Sequence, residues 1–258
     1  VTSFASGAAH HHHDHHHHDG EDHHHAQHDH HTHEEAPWSS SRTIQLEQDL
    51  LAKNNRLAER NRGWLEAQGI VAWNLMSSPG AGKTTLLERT IRDLGEELAI
   101  SVIEGDQETA LDAERIRATG CPVVQINTGS GCHLDAEMVA GGLRQIAPRL
   151  GSLLMIENVG NLVCPALFDL GERGKVVIVS VTEGEDKPLK YPQMFRASDL
   201  MVLNKIDLLP YVAFDVERCI ASARQVNPRL SIVQVSATRG DGLADWYAWL
   251  RSQVAVRE

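Results

Sequence analysis

A chain of 258 residues with 41% hydrophobic content can fold as one large domain or two small ones around a substantial core. Of its net charge of −11, seven units come from acidic residues within the first 36 positions, which leaves −4 on the other 222 and no electrostatic footprint for nucleic acid. No run of 18 apolar residues and no signal-type opening is present, so neither a membrane partner nor export is expected and the expected location is cytoplasmic.

Residues 1–36 contain no Lys or Arg and almost no large apolar side chain, so they cannot offset chain entropy by burial and read as a disordered tail. The stretch HHHHDHHHHDGEDHHHAQHDHHTH holds fifteen of the sixteen histidines: His10, His11, His12, His13, His15, His16, His17, His18, His23, His24, His25, His28, His30, His31 and His33. Uneven runs interleaved with Asp and Glu set it apart from a uniform vector tag. Neutral imidazoles on a flexible chain offer many shifting ligand sets for Ni²⁺, Cu²⁺ or Zn²⁺, weakening as they protonate at about pH 6, which suits a nickel store better than a selective site. Val1 stands in place of Met, and an upstream segment is expected.

A linker over 36–41 leads to a helix ending near Gly69, and together they make a second unit, 37–69. Leu50/Leu51, Leu57/Ala58 and Trp64/Leu65 recur every seven residues and predict its core-facing stripe. From residue 70 to 258 short apolar runs alternate with helical spacing. The runs are 71–76, 99–104, 122–126, 152–157, 175–181, 200–204 and 231–236; the helical segments include TTLLERTIRDL, AERIRAT, DAEMVAGGLRQIA and DVERCIASARQV. Continuous apolar strands separated by helices predict one doubly wound, mostly parallel α/β domain, with its site beyond the carboxyl ends of the strands.

SSPGAGKTT follows the first strand and opens a helix. That order aims backbone N–H groups and a helix N-terminus at an anion, through Gly80, Ala81, Gly82 and Thr85; Lys83 reaches the terminal phosphates and Thr84 can ligate Mg²⁺. Ser77 replaces the first glycine of the usual pattern. Asn204-Lys205-Ile206-Asp207 ends the sixth run and Ser236-Ala237 follows the seventh. An Asp207 carboxylate accepts the N1–H and N2–H of guanine, which selects GTP and GDP over adenine nucleotides. Asp106, Asp112 and Glu157 stand near strand ends as candidates for holding Mg²⁺ or its water, with Lys83, Asp112 and Glu157 the expected catalytic set for hydrolysis; each Asp or Glu is also a plausible helix cap.

Cys132 and His133 adjoin one another before a helix, and Cys164 follows the Glu157 segment. Thiolate plus imidazole is a soft site for Ni²⁺ or Zn²⁺, yet one chain supplies only three donors, one fewer than a closed structural zinc site, and a homodimer could complete it. On spacing alone, buried thiols with a capping His fit equally well. Cys121 and Cys219 read as packed thiols, and the four cysteines lack the dense spacing of a disulfide framework.

LLAKNNRLAERNRGWL, SSPGAGKTTLLE, EGDQETALDAERI, GCHLDAEMV, ENVGNLVCP, EGEDKPLKYP and NKIDLLP together resemble the HypB family, nickel-delivering GTPases of [NiFe] hydrogenase maturation in the SIMIBI class of P-loop proteins, from about residue 43 onward. The urease GTPase UreG is the nearest family to reject, since its metal motif reads CysProHis where this chain has GlyCysHis. The resemblance implies nucleotide-dependent dimerisation controlling an interfacial site at Cys132, His133 and Cys164, slow GTP turnover, and a HypA-type nickel metallochaperone and the hydrogenase large subunit as partners. The CysXXCysXCys nickel site that opens some members is not found in these 258 residues, so it is either absent or belongs to an upstream segment.

Overall fold

The computed structural model describes residues 38–106, 111–129 and 131–255; the His-rich stretch lies outside them. In chain order the helices are α1 (Trp38–Ala67), α2 (Lys83–Leu94), α3 (Leu111–Arg117), α4 (Ala136–Ile146), α5 (Cys164–Leu167), α6 (Lys187–Lys190), α7 (Pro192–Arg196), α8 (Val216–Val226) and α9 (Leu243–Ala255). The strands are β1 (Val71–Ser77), β2 (Ile100–Asp106), β3 (Val123–Asn127), β4 (Leu153–Glu157), β5 (Gly174–Ser180), β6 (Leu200–Asn204) and β7 (Ser231–Gln234).

All seven strands pair in parallel, in the order β3-β2-β4-β1-β5-β6-β7. Central strands β1, β4 and β6 are buried along their whole length, as a sheet covered on both faces requires, while edge strands β3 and β7 are only partly covered. One face packs against α2 and α9 through Leu86, Leu87 and the fully buried Trp246; the other packs against α1 and α4 through Leu65, Val139 and Leu143. Every strand inferred from the sequence is present, within two residues at each end. α9 carries no strong apolar periodicity in sequence and emerges only from its packing.

Two features of α1 depart from expectation. It begins at Trp38 and so absorbs the serines read as linker, which contain no helix breaker and are favoured residues at helix starts. Its packed face matches the predicted stripe only in part: Ala58 and Leu65 are buried, but Leu50 is 54% exposed and Trp64 41%, and Asn54 and Asn61 complete the buried row at spacings of four, three and four. Half of that face is polar, so apolar periodicity finds Ala58 and Leu65 but not the two asparagines. Asn61 Nδ2 donates to the carbonyls of Ala136 (2.8 Å) and Leu170 (3.0 Å), and Asn54 donates to Asp169 O (2.7 Å) while accepting from Ala136 N (2.9 Å). Gly69, at φ 71°, ends the helix as predicted, with Ile70 N donating to Leu65 O and Gly69 N to Glu66 O. No helix of the described residues is long and apolar enough to cross a membrane.

Candidate functional site

A cleft of about 520 Å³ opens beyond the carboxyl ends of β1, β2 and β4. Gly80, Gly82, Lys83, Thr84, Thr85, Asp106, Asp112 and Glu157 line it together with Arg115, Gly160 and Lys205. Gly82 sits at φ 94°, and a Cβ there would lie 2.6 Å from Asn204 Nδ2, so both its conformation and its neighbour exclude a side chain. Lys83 Nζ donates to Ser77 Oγ at 2.9 Å, which explains how the serine standing where the usual motif has glycine serves the loop. Burial pulls the Lys83 ammonium below its ordinary value, against the raising effect of Glu157, Asp112, Glu104 and Asp106.

Thr84 Oγ1 donates to Glu157 Oε1 at 2.7 Å. Glu157 is buried, and that burial pushes its carboxyl up to about 7 despite Lys83 and Thr84. Directly opposite it in register on β2 stands Glu104, 2% exposed and pushed up to about 8 by burial and then by the Glu157 charge. Oε2 of each has no hydrogen-bond partner among the described residues. Sequence reasoning misses Glu104; its signal is an acidic residue inside an apolar strand, two positions before Asp106. Asp112 lies in the first turn of α3 beside Arg115, whose guanidinium also reaches Thr85 (3.2 Å) and Glu88 (2.7 Å). Neither Asp106 nor Glu157 caps a helix among the described residues.

The Asn204-Lys205 and Ser236-Ala237 segments and the phosphate loop are joined by hydrogen bonds. Asn204 Nδ2 donates to Ala81 O (2.9 Å), Lys205 Nζ to Gly80 O (2.6 Å) and Ala237 N to Asn204 Oδ1 (3.2 Å). Ser236 Oγ accepts from Arg239 N and Asp207 lies in a 3₁₀ turn; Asp207, Ser236 and Ala237 flank the cleft without lining it. The EGEDKPLKYP segment reaches the same loop, with Ser78 Oγ donating to Glu183 Oε2 (2.7 Å) and Lys187 Nζ to Ser78 Oγ (3.2 Å).

Cys132, His133 and Cys164 converge, their ligand atoms all within 4.8 Å of one another. Cys132 Sγ lies 2.9 Å from Cys164 Sγ and 3.6 Å from His133 Nδ1. Burial lowers the His133 pKa, which favours the neutral, metal-binding imidazole, and Phe168 supports the ring at 3.9 Å between centroids. The Cys164 thiol is pushed up, first by burial and then by its bond to Cys132. Asp135, accepting from Met138 N, caps α4, so His133 is not a capping residue. Cys121 and Cys219 are buried with thiols pushed up to about 12 and about 11, the packed cysteines expected.

Segment 157–164 joins the two constellations. It starts at Glu157 on Thr84, and at Gly160 it presses on Pro79, where a Cβ would lie 3.1 Å from the Pro79 backbone. Asn161 Nδ2 donates to Cys132 O (3.4 Å) and the segment ends at Cys164. Beneath it the Asn158 carboxamide accepts from Leu134 N (3.1 Å) and donates to Asn74 Oδ1 (3.2 Å).

The family model for the CobW/HypB/UreG nucleotide-binding domain matches residues 71–234. Hydrogenase maturation factor HypB of Azotobacter chroococcum is 60% identical over 219 residues, covering 85% of this chain and 72% of that protein. Among solved structures, HypB from Archaeoglobus fulgidus aligns with a TM-score of 0.74 at 46% identity, covering 79% of this chain and 100% of that one. HypB from Helicobacter pylori, solved in complex with nickel, aligns at 0.73 and 36% identity, covering 78% and 95%. This chain belongs to the HypB family of hydrogenase maturation factors, within the CobW/HypB/UreG nucleotide-binding proteins.

Proposed function

We propose that this chain is a GTP-hydrolysing nickel metallochaperone that acts in the cytoplasm during [NiFe] hydrogenase maturation. In this reading nucleotide-dependent homodimerisation controls metal affinity at Cys132, His133 and Cys164. Nickel is the cargo, zinc an alternative occupant, and the histidines of the tail store nickel. A HypA-type metallochaperone and the hydrogenase large subunit are the proposed partners, and residues 1–36, 37–69 and 70–258 the proposed units.

Lys83 and the N–H groups over Gly80 to Thr85 hold the β- and γ-phosphates, with Asn204, Lys205, Asp207, Ser236 and Ala237 serving the guanine. Selectivity for GTP over ATP rests on Asp207, whose two acceptor oxygens match guanine donors. The donor set fits Mg²⁺: Thr84 with Glu157, and the unpartnered buried Oε2 atoms of Glu157 and Glu104, are hard oxygen ligands, with Asp106 and Asp112 at the rim. When bound, Mg²⁺ neutralises charge on the phosphates. The chain's own groups orient the phosphates and a water, and Glu157 and Asp112 hold that water. With no arginine supplied by a second protein, turnover should be slow.

The observation that carries the reading is the segment 157–164, which begins at the phosphate loop and ends at a metal-ligand thiol. A nucleotide-driven shift at Glu157 is passed along that covalent path to Cys164, and linkage requires nickel to act back on nucleotide affinity equally. The test is nickel affinity of the full chain with GDP and with a non-hydrolysable GTP analogue, in wild type and Cys132→Ala. A difference of about fivefold or more between nucleotides, abolished in the variant, is expected; identical affinities overturn the reading. The fifteen histidines favour a second reading, a nickel buffer with an incidental nucleotide domain. That reading requires Lys83→Ala to leave hydrogenase maturation intact while deletion of 1–36 abolishes it under nickel limitation.

A further inference from the structure

At the edge of the sheet opposite the phosphate loop lies a larger cleft, of about 680 Å³. Three loops deliver a guanidinium to it: Arg173 directly precedes β5, Arg196 closes α7, and Arg229 stands between α8 and β7. All three are exposed, and none of their side chains has a hydrogen-bond or ion-pair partner among the described residues. Arg251, also on the surface, is by contrast paired through two nitrogens to Glu97. The sole carboxylate in the lining among the described residues is Asp199, and its Oδ2 already accepts from Lys175 N at 3.0 Å.

The wall between these loops is aromatic. Trp73 is 3% exposed, yet its indole N–H has no hydrogen-bond partner among the described residues, an uncommon condition for a buried donor. The half-buried Trp249 ring stands 4.5 Å from it between centroids. Planar guanidinium forks match carboxylate and phosphate oxygens, and the cleft has the size of a small-molecule site. Three guanidiniums against the one carboxylate of Asp199, on a body of net charge −4, make an anion the fitting occupant.

We propose that this cleft binds a small polyvalent anion bearing phosphate or carboxylate groups, held by Arg173, Arg196 and Arg229 against the Trp73 and Trp249 wall. The site is separate from the nucleotide cleft but shares its scaffold. β6 runs from Leu200, next to Asp199 at this edge, to Asn204, which bonds the phosphate loop, and β1 passes from Trp73 towards Ser77.

The test uses the full chain saturated with a non-hydrolysable GTP analogue, so that every phosphate position of the nucleotide cleft is filled. Inorganic phosphate and succinate are titrated separately, following the tryptophan indole N–H resonances and the heat of binding. Saturable binding of at least one anion, with a shifted Trp73 resonance, is expected, and the tighter of the two identifies the ligand class. Replacing Arg173, Arg196 and Arg229 by Gln should weaken binding by about tenfold for each arginine removed while nucleotide affinity is unchanged. Arg196→Gln alone serves if the triple variant does not fold. Absence of saturable binding to either anion, or unchanged affinity in a folded variant, overturns the proposal.

Discussion

Glu104→Gln tests the electrostatics of the cleft where the native fold holds a carboxyl against its preference. Burial pushes Glu104 from its ordinary 4.5 up to about 8. Between these values the folded protein retains a proton that the unfolded chain has lost, so stability falls as pH rises through that window. Each pH unit lowers stability by about 1.4 kcal/mol on account of this one group, with a ceiling of about 5 kcal/mol above pH 8. A typical domain has about 5–15 kcal/mol in total, so the effect is easily measured. Gln keeps the shape and removes the ionisation. Urea unfolding of wild type and variant, free of nucleotide and divalent metal, should therefore give curves that converge near pH 5 and separate towards pH 8, with the variant the more stable. Adding Mg²⁺ and nucleotide should stabilise the wild type more than the variant at alkaline pH. Parallel stability curves across the window would refute the assignment of a buried, proton-holding Glu104.

Three further substitutions probe distinct features. Gly82→Ala places a methyl against Asn204 at a left-handed backbone position and should destabilise by about 1–3 kcal/mol, abolishing nucleotide binding in a fluorescence titration. Asn61→Ala strips the donors from two buried carbonyls, those of Ala136 and Leu170, at about 2–4 kcal/mol, read as a lowered unfolding midpoint. It should also weaken nickel binding, because α1 would lose its grip on the segment carrying Phe168. Asp207→Ala should lower the preference for GTP over ATP by about a hundredfold in competition binding, with the stability of the fold unchanged.

The sheet is legible in the sequence because parallel strands buried on both faces leave uninterrupted apolar runs, such as LLMIE over β4 and LMVLN over β6. The phosphate loop is legible because Gly82 meets a backbone demand that few sequences satisfy. The thiol cluster is only partly so. Spacing offers Cys132, His133 and Cys164 as candidates, but their convergence depends on how far segment 157–164 folds back, a long-range fact. Glu104 and Arg115 escape notice for the opposite reason, since a single charged residue in a strand or helix carries no spacing signal of its own.

The polar half of the α1 face, which apolar periodicity does not find, has a physical role that reaches the Cys132, His133 and Cys164 cluster. Asn54, Asn61, Asn74 and Asn158 are all buried, and each has its carboxamide committed to backbone or side-chain partners beneath the loops bearing His133 and Phe168. A satisfied polar network of this kind specifies one geometry more tightly than apolar packing does, because a slipped alternative leaves buried groups unpaired. An apolar stripe would let α1 slide along α4; two asparagines bonded to the backbone N–H and C=O of Ala136 and to the 169–170 carbonyls do not. α1 lies outside the 71–234 span of the nucleotide-binding family match. The nucleotide domain thus brings Cys132, His133 and Cys164 together, and a helix appended to it fixes the floor beneath them.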